Sequence, residues 1–140
     1  MTLADSEHIE QVALMAWARK NESRLPELAL LFAIPNGAKL VSRVNQRGQR
    51  FSVEANRLIA EGLKPGVPDL FLPVARGGCF GLFIELKRDG GRASDAQNEW
   101  ISKLREQGYS AWVAYGSRGA IEIIERYLGH EPTEASGSTT

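Results

Sequence analysis

The sequence predicts an α/β fold, a mixed β-sheet flanked by helices. Three observations predict it. Apolar residues recur at helical spacing in several windows, strand-like apolar runs lie between those windows, and Gly, Pro and Asn signals punctuate the junctions. The resulting order is helix, strand, an ambiguous segment with a short helix, two strands, helix, strand, helix.

The first helix is expected over residues 6–21. Ile9, Val12, Ala13, Ala16 and Trp17 fall at helical spacing there, with Asp5 or Ser6 as cap. Residues 29–34 read as a buried strand ended by the turn Pro35-Asn36-Gly37. Residues 38–51 fit two descriptions: their basic residues would share a helical face, yet Gly48 interrupts the pattern, leaving a helix or an ordered basic loop. Residues 52–61 make a better helix, closed by Gly62. Residues 67–74 and 80–87 are two strands joined by Ala75-Arg76-Gly77-Gly78-Cys79, the pattern of a β-hairpin. Ser94 and Gln97 form a capping box for the next helix, which carries Trp100, Ile101 and Leu104 on its apolar stripe and stops at Gly108. Residues 109–115 are another strand, and residues 117–127 a final helix whose Ile121, Ile124 and Leu128 face the core. From His130 the composition turns to Glu, Pro, Ser, Gly and Thr. Residues 1–129 are therefore expected to be the domain and residues 130–140 a disordered tail.

With 140 residues, 43% apolar and 24% charged, the chain has the size and composition of one domain with a real core. No apolar stretch reaches the roughly 20 residues of a membrane span, and the start lacks the layout of an export signal. The single cysteine, Cys79, has no partner for a disulfide or a zinc knuckle, so the expected location is the cytoplasm. Seventeen basic and seventeen acidic residues cancel, which excludes a protein that coats DNA by bulk positive charge. The distribution is uneven: Lys39, Arg43, Arg47 and Arg50 lie in a stretch without acids, whereas the chain after Gly119 is mostly acidic. That basic stretch is either a solvated face or a surface that meets phosphates. Trp17, Trp100 and Trp112 sit in periodic apolar patterns and are expected in the core, and His8 and His130 have no metal-ligand spacing.

A hairpin symmetric about Gly77 sets Asp69 opposite Glu85 with both side chains on one face. Directly opposed strand residues have Cβ atoms about 4.5 to 5.5 Å apart, so two carboxylates would meet in an otherwise apolar hairpin of Leu70, Leu72, Leu82, Ile84 and Leu86. A divalent cation resolves that conflict, since carboxylate oxygens suit Mg²⁺ and Mn²⁺. Strand alternation puts Lys87 on the same face as Glu85, within reach of a metal-bound water or an attacked phosphate. A lone Glu-x-Lys is ordinarily an exposed ion pair. Its combination with Pro68-Asp69 at hairpin-matched spacing points instead to metal-assisted hydrolysis of a phosphodiester.

Pro68-Asp69 followed by Glu85-Leu86-Lys87 resembles the PD-(D/E)xK nuclease signature. The wider set of Glu10-Gln11, Pro35-Asn36-Gly37, Gly66 to Leu70, Ile84 to Lys87, Ser94, Gln97 and Trp100 resembles its VRR-NUC branch. The likeness spans about residues 7–128. It implies a restriction-endonuclease-like core, dependence on Mg²⁺ or Mn²⁺, and cleavage of branched DNA. Similarity to stand-alone, phage-type members implies a Holliday-junction resolvase working as a homodimer in the cytoplasm of a bacterial host. It further implies that Asp69, Glu85 and the Leu86 carbonyl bind metal and that Lys87 acts in catalysis. Glu10 would reach the metal directly or through water, or else face solvent. Gln97 would place its amide near the scissile phosphate as well as cap its helix, and Asn36 would lie in a loop near the site and contact DNA. Lys64, Arg88 and Arg92 flank the site and suit phosphate contacts. Two other readings remain open: a DNA-binding module without catalysis, and a partner-binding α/β protein with no affinity for DNA.

Overall fold

The computed structural model describes residues 3–35, 43–44, 50–51 and 53–134. Asn36, Gly37, Lys39 and Arg47 lie outside the described residues, as do residues 135–140. The chain opens with helix α1 (Leu3–Lys20) and a 3-10 turn at Pro26–Leu30, followed by strand β1 (Phe32–Ala33). Strands β2 (Arg43–Val44) and β3 (Arg50–Phe51) pair antiparallel as a small ribbon, so the described residues of this basic stretch are extended strand rather than helix. Helix α2 (Val53–Ala60), strands β4 (Leu70–Leu72) and β5 (Leu82–Lys87), helix α3 (Asp95–Glu106), strand β6 (Ser110–Tyr115) and helix α4 (Gly116–Leu128) complete the chain.

The main sheet has the order β1-β4-β5-β6, with β1 and β4 antiparallel to their neighbours and β6 parallel to β5. A parallel neighbour requires a crossover, and α3 supplies it. This is the mixed α/β sheet flanked by helices that the sequence predicts. Leu70, Leu72, Leu82, Ile84 and Leu86 pack against Leu14 and Ala18 of α1 and Ala120, Ile124 and Tyr127 of α4. That α4 face agrees with the expected helix, with Ile121 and Leu128 packed at its margin.

Three elements differ from expectation, each for a physical reason. Residues 29–34 are not a buried strand: Pro26 starts a helical turn that buries Leu28 and Leu31, leaving a two-residue strand at the sheet edge with both positions exposed. On α1, Ile9 and Val12 are half exposed, and the buried line instead runs through Leu14 and Ala18, with Glu7 and Glu10 partly buried on the sheet side. Trp112 is 48% exposed, because β6 is the last strand of the sheet. Its ring lies 4.7 Å from the Arg105 guanidinium, and Arg105 Nε also donates to the Ala111 carbonyl, covering part of that open edge. Trp17 packs against the core as expected, and Trp100 is partly buried.

The end of the domain also differs. Gly77 N–H donates to the Glu131 carbonyl and Gly78 N–H to Thr133 Oγ1, so residues 130–134 are docked on the hairpin turn despite their polar composition. Among the described residues no helix is long and apolar enough to cross a membrane.

Candidate active site

The β4–β5 register pairs Leu70 with Ile84, Phe71 with Phe83 and Leu72 with Leu82. Continued by one pair, it sets Asp69 across from Glu85. Asp69 is held from both sides: Ile34 N–H donates to its carbonyl at 2.7 Å, and Leu86 N–H donates to its Oδ2 at 2.9 Å. Just upstream, Gly66 has φ +92, and a Cβ there would stand 3.0 Å from the backbone carbon and oxygen of Ala96 and from Trp100 Cδ1. Only a glycine lets the turn into Pro68-Asp69 lie this close to α3.

Asp69 and Glu85 are 4% and 1% exposed, and among the described residues no other charged side chain is fully buried. Glu85 lies against the Asp69 carboxyl, and its Oε1 is buried without a hydrogen-bond partner. Burial above all, then the hydrogen bond and charge of Asp69, push the Glu85 carboxyl up from 4.5 to about 9; the Lys87 charge pulls the other way. Lys87 Nζ stands 3.9 Å from Glu85 Oε2 and 3.8 Å from Glu7 Oε1. Alternation along β5 explains the Glu85–Lys87 approach, since residues two apart share a face.

The remaining expected residues fall into separate places. Gln97 and Ser94 make the predicted capping box: Ser94 N–H donates to Gln97 Oε1 at 2.8 Å and Gln97 N–H to Ser94 Oγ at 3.2 Å. The Gln97 carbonyl is thus committed to the helix start, and its NH₂ is what it can offer a phosphate. Arg88 is half-buried, with Nη1 donating to the Asp89 carbonyl and Nε buried without a partner, while Arg92 is exposed. Exposed Lys64 lies on the rim of an apolar groove lined by Leu58, Val67, Phe83, Trp100 and Leu104. Of Arg43 and Arg50 the structure describes only the backbone, on β2 and β3.

Glu10 does not join the hairpin acids. Its Oε2 accepts a hydrogen bond from Ser117 N–H at the start of α4. The acid beside Lys87 is Glu7, which the sequence reading missed. Glu7 and Glu10 are one helical turn apart, so both satisfy the same periodicity, and only the path of α1 over the sheet separates them.

The donor set fits a hard divalent cation. Two carboxyl groups meet in a buried site and the Glu85 Oε1 has no hydrogen-bond partner, a state that a cation relieves directly. Among the described residues no three His, Cys, Asp or Glu side chains form a metal cluster. Two protein carboxylates with water completing the shell is the arrangement Mg²⁺ accepts.

A mixed sheet whose central hairpin presents two buried acids and a lysine on one face is the arrangement of a restriction-endonuclease-like domain. The VRR-NUC domain matches residues 5–118, and the chain belongs to that family. A solved structure described as a "VRR_NUC domain protein" is 30% identical to the chain. It superimposes with a TM-score of 0.73, over 91% of this chain and 92% of that one. A comparison with curated proteins gives no match. Family membership makes this a nuclease-type, DNA-binding domain.

Proposed function

We propose that the chain is a Mg²⁺- or Mn²⁺-dependent endonuclease that hydrolyses phosphodiester bonds in branched DNA such as Holliday junctions. The observation that carries this reading is the buried Asp69–Glu85 pair with its unsatisfied Glu85 oxygen, set against the Lys87 ammonium. Asp69, Glu85 and the Leu86 carbonyl would hold the metal. When bound, the ion supplies a Lewis acid that offsets phosphate charge and acidifies a water.

The chain's own groups supply the rest. Lys87 donates from Nζ to the attacking water or to a phosphate oxygen, orienting the nucleophile and stabilising charge in the transition state. Glu7 pairs with Lys87 as Glu85 does, steadying the ammonium between two carboxyl groups. The free NH₂ of Gln97, at a helix N-terminus that favours anions, positions the phosphate, and Arg88, Arg92 and Lys64 contact the flanking backbone. Resolving a junction takes two sites related by a two-fold axis, so the working unit in this proposal is a homodimer. Its setting, carried from the family likeness, is the cytoplasm of a bacterium hosting a phage or prophage.

The test is cleavage of labelled four-way junction, flap and linear duplex DNA with Mg²⁺, Mn²⁺ or EDTA, comparing wild type with Asp69→Ala and Lys87→Ala. The expected result is metal-dependent cutting of branched DNA, lost by about a hundredfold or more in both variants while DNA binding is retained. A folded wild type that binds DNA in EDTA and cuts nothing with metal present would refute catalysis and leave a binding module.

A further inference from the structure

Glu10 ties α1 to α4 across a sequence separation of 107 residues: its carboxylate Oε2 accepts from the Ser117 N–H. Tyr115, at the N-cap position of α4, makes no side-chain cap. The first N–H groups of a helix lack partners within it and form the positive end of its dipole, so a carboxylate there makes a charge-assisted bond. Gly116, with φ +69, opens the helix beside it, and a Cβ there would meet Glu10 Oε2 at 3.4 Å, an ordinary contact, so the carboxylate lies directly against this turn.

The same few residues lead back to the site. Glu7 precedes Glu10 by one helical turn on α1, and Glu7 Oε1 is 3.8 Å from Lys87 Nζ. Lys87 pairs with Tyr115 in the β5–β6 register, and Tyr115 is followed by Gly116 and Ser117. Glu10, Ser117, Tyr115, Lys87 and Glu7 therefore close a ring. We infer that Glu10 is a positioning residue. By capping α4 from α1 it fixes the rotation and height of α1, and so sets Glu7 against Lys87. The catalytic consequence rests on the nuclease reading; the structural one rests on the ring alone.

Glu10→Ala and Glu10→Gln, each verified as folded, test the inference. The amide oxygen of Glu10→Gln still accepts from Ser117 N–H, so this variant is expected to cut within about threefold of wild type. Glu10→Ala is expected to lose about tenfold or more in kcat with KM for DNA unchanged, since small misplacements are costly at a reacting centre. Equal loss in both variants would mean that Glu10 acts through its charge, and would overturn the positioning role. NMR of the metal-free protein gives a readout independent of activity. The Ser117 amide and the Lys87 side-chain signals are expected to shift in Glu10→Ala and to return in Glu10→Gln. Lys87 signals unmoved in Glu10→Ala would overturn the inference whatever the chain cuts. The expected shifts in a wild type that cuts nothing would refute the nuclease reading alone.

Discussion

Replacing Glu85 with Gln is expected to stabilise the metal-free protein, by an amount that grows with pH. Glu85 has its carboxyl raised from 4.5 to about 9 because burial, and the acid beside it, oppose its charge. An acid whose folded-state pKa is raised contributes stability that is complete below its unfolded value and is lost as pH climbs through the folded one. The window therefore runs from pH 4.5 to about 9. Within it, stability falls by about 1.4 kcal/mol per pH unit, reaching about 3 kcal/mol by pH 7. Glu85→Gln keeps the shape and cannot ionise, so it escapes this loss. Urea denaturation in EDTA at pH 5, 7 and 8.5 measures the difference, which is expected to be small at pH 5 and about 3 kcal/mol at pH 7. The same carboxyl must lose its proton to bind a cation, so Mn²⁺ binding near pH 7 should release about one proton, and affinity should rise about tenfold per pH unit below pH 9. Calorimetry in buffers of different ionisation heat reads that proton. A stability difference between wild type and Glu85→Gln that does not change with pH, or metal binding without proton release, would refute the argument.

Three further outcomes are expected. Gly66→Ala should lower stability by about 1 to 3 kcal/mol in a urea melt, because φ +92 and backbone atoms of Ala96 at 3.0 Å leave no room for a methyl group. Ser94→Ala removes the side-chain acceptor for Gln97 N–H and should cost about 0.5 to 2 kcal/mol by the same measurement, with Gln97→Ala costing no more. DNA affinity should fall with rising salt, and neutralising Lys64, Arg88 or Arg92 should each reduce the slope of log affinity against log salt by about 0.9 if it contacts a phosphate; an unchanged slope removes that residue from the interface.

The legible parts of this protein are those whose cause is local. The hairpin register follows from the count of residues about Gly77, so the meeting of Asp69 and Glu85, with Lys87 beside them, can be read from the sequence. The Ser94–Gln97 box is equally local, a bond between residues three apart. The buried face of α1 is not legible in the sequence for the opposite reason. Apolar periodicity assigns the apolar face inward, yet here part of the sheet-facing side is taken by Glu7 and Glu10, and Ile9 and Val12 are left half exposed. Residues 29–34 misled because an apolar run of that length suits a strand or a helical turn equally, and Pro26 with the sheet's edge decided between them.

By itself, then, the sequence determined the fold class, the hairpin and the acid pair, all set by spacing along the chain. Which of two glutamates one turn apart meets Lys87, which caps a helix 107 residues away, and that Trp112 lies on an open edge were decided by the tertiary structure alone. Those outcomes depend on how α1 and the last strand lie against the sheet, and that packing is settled by long-range contacts that no local period encodes.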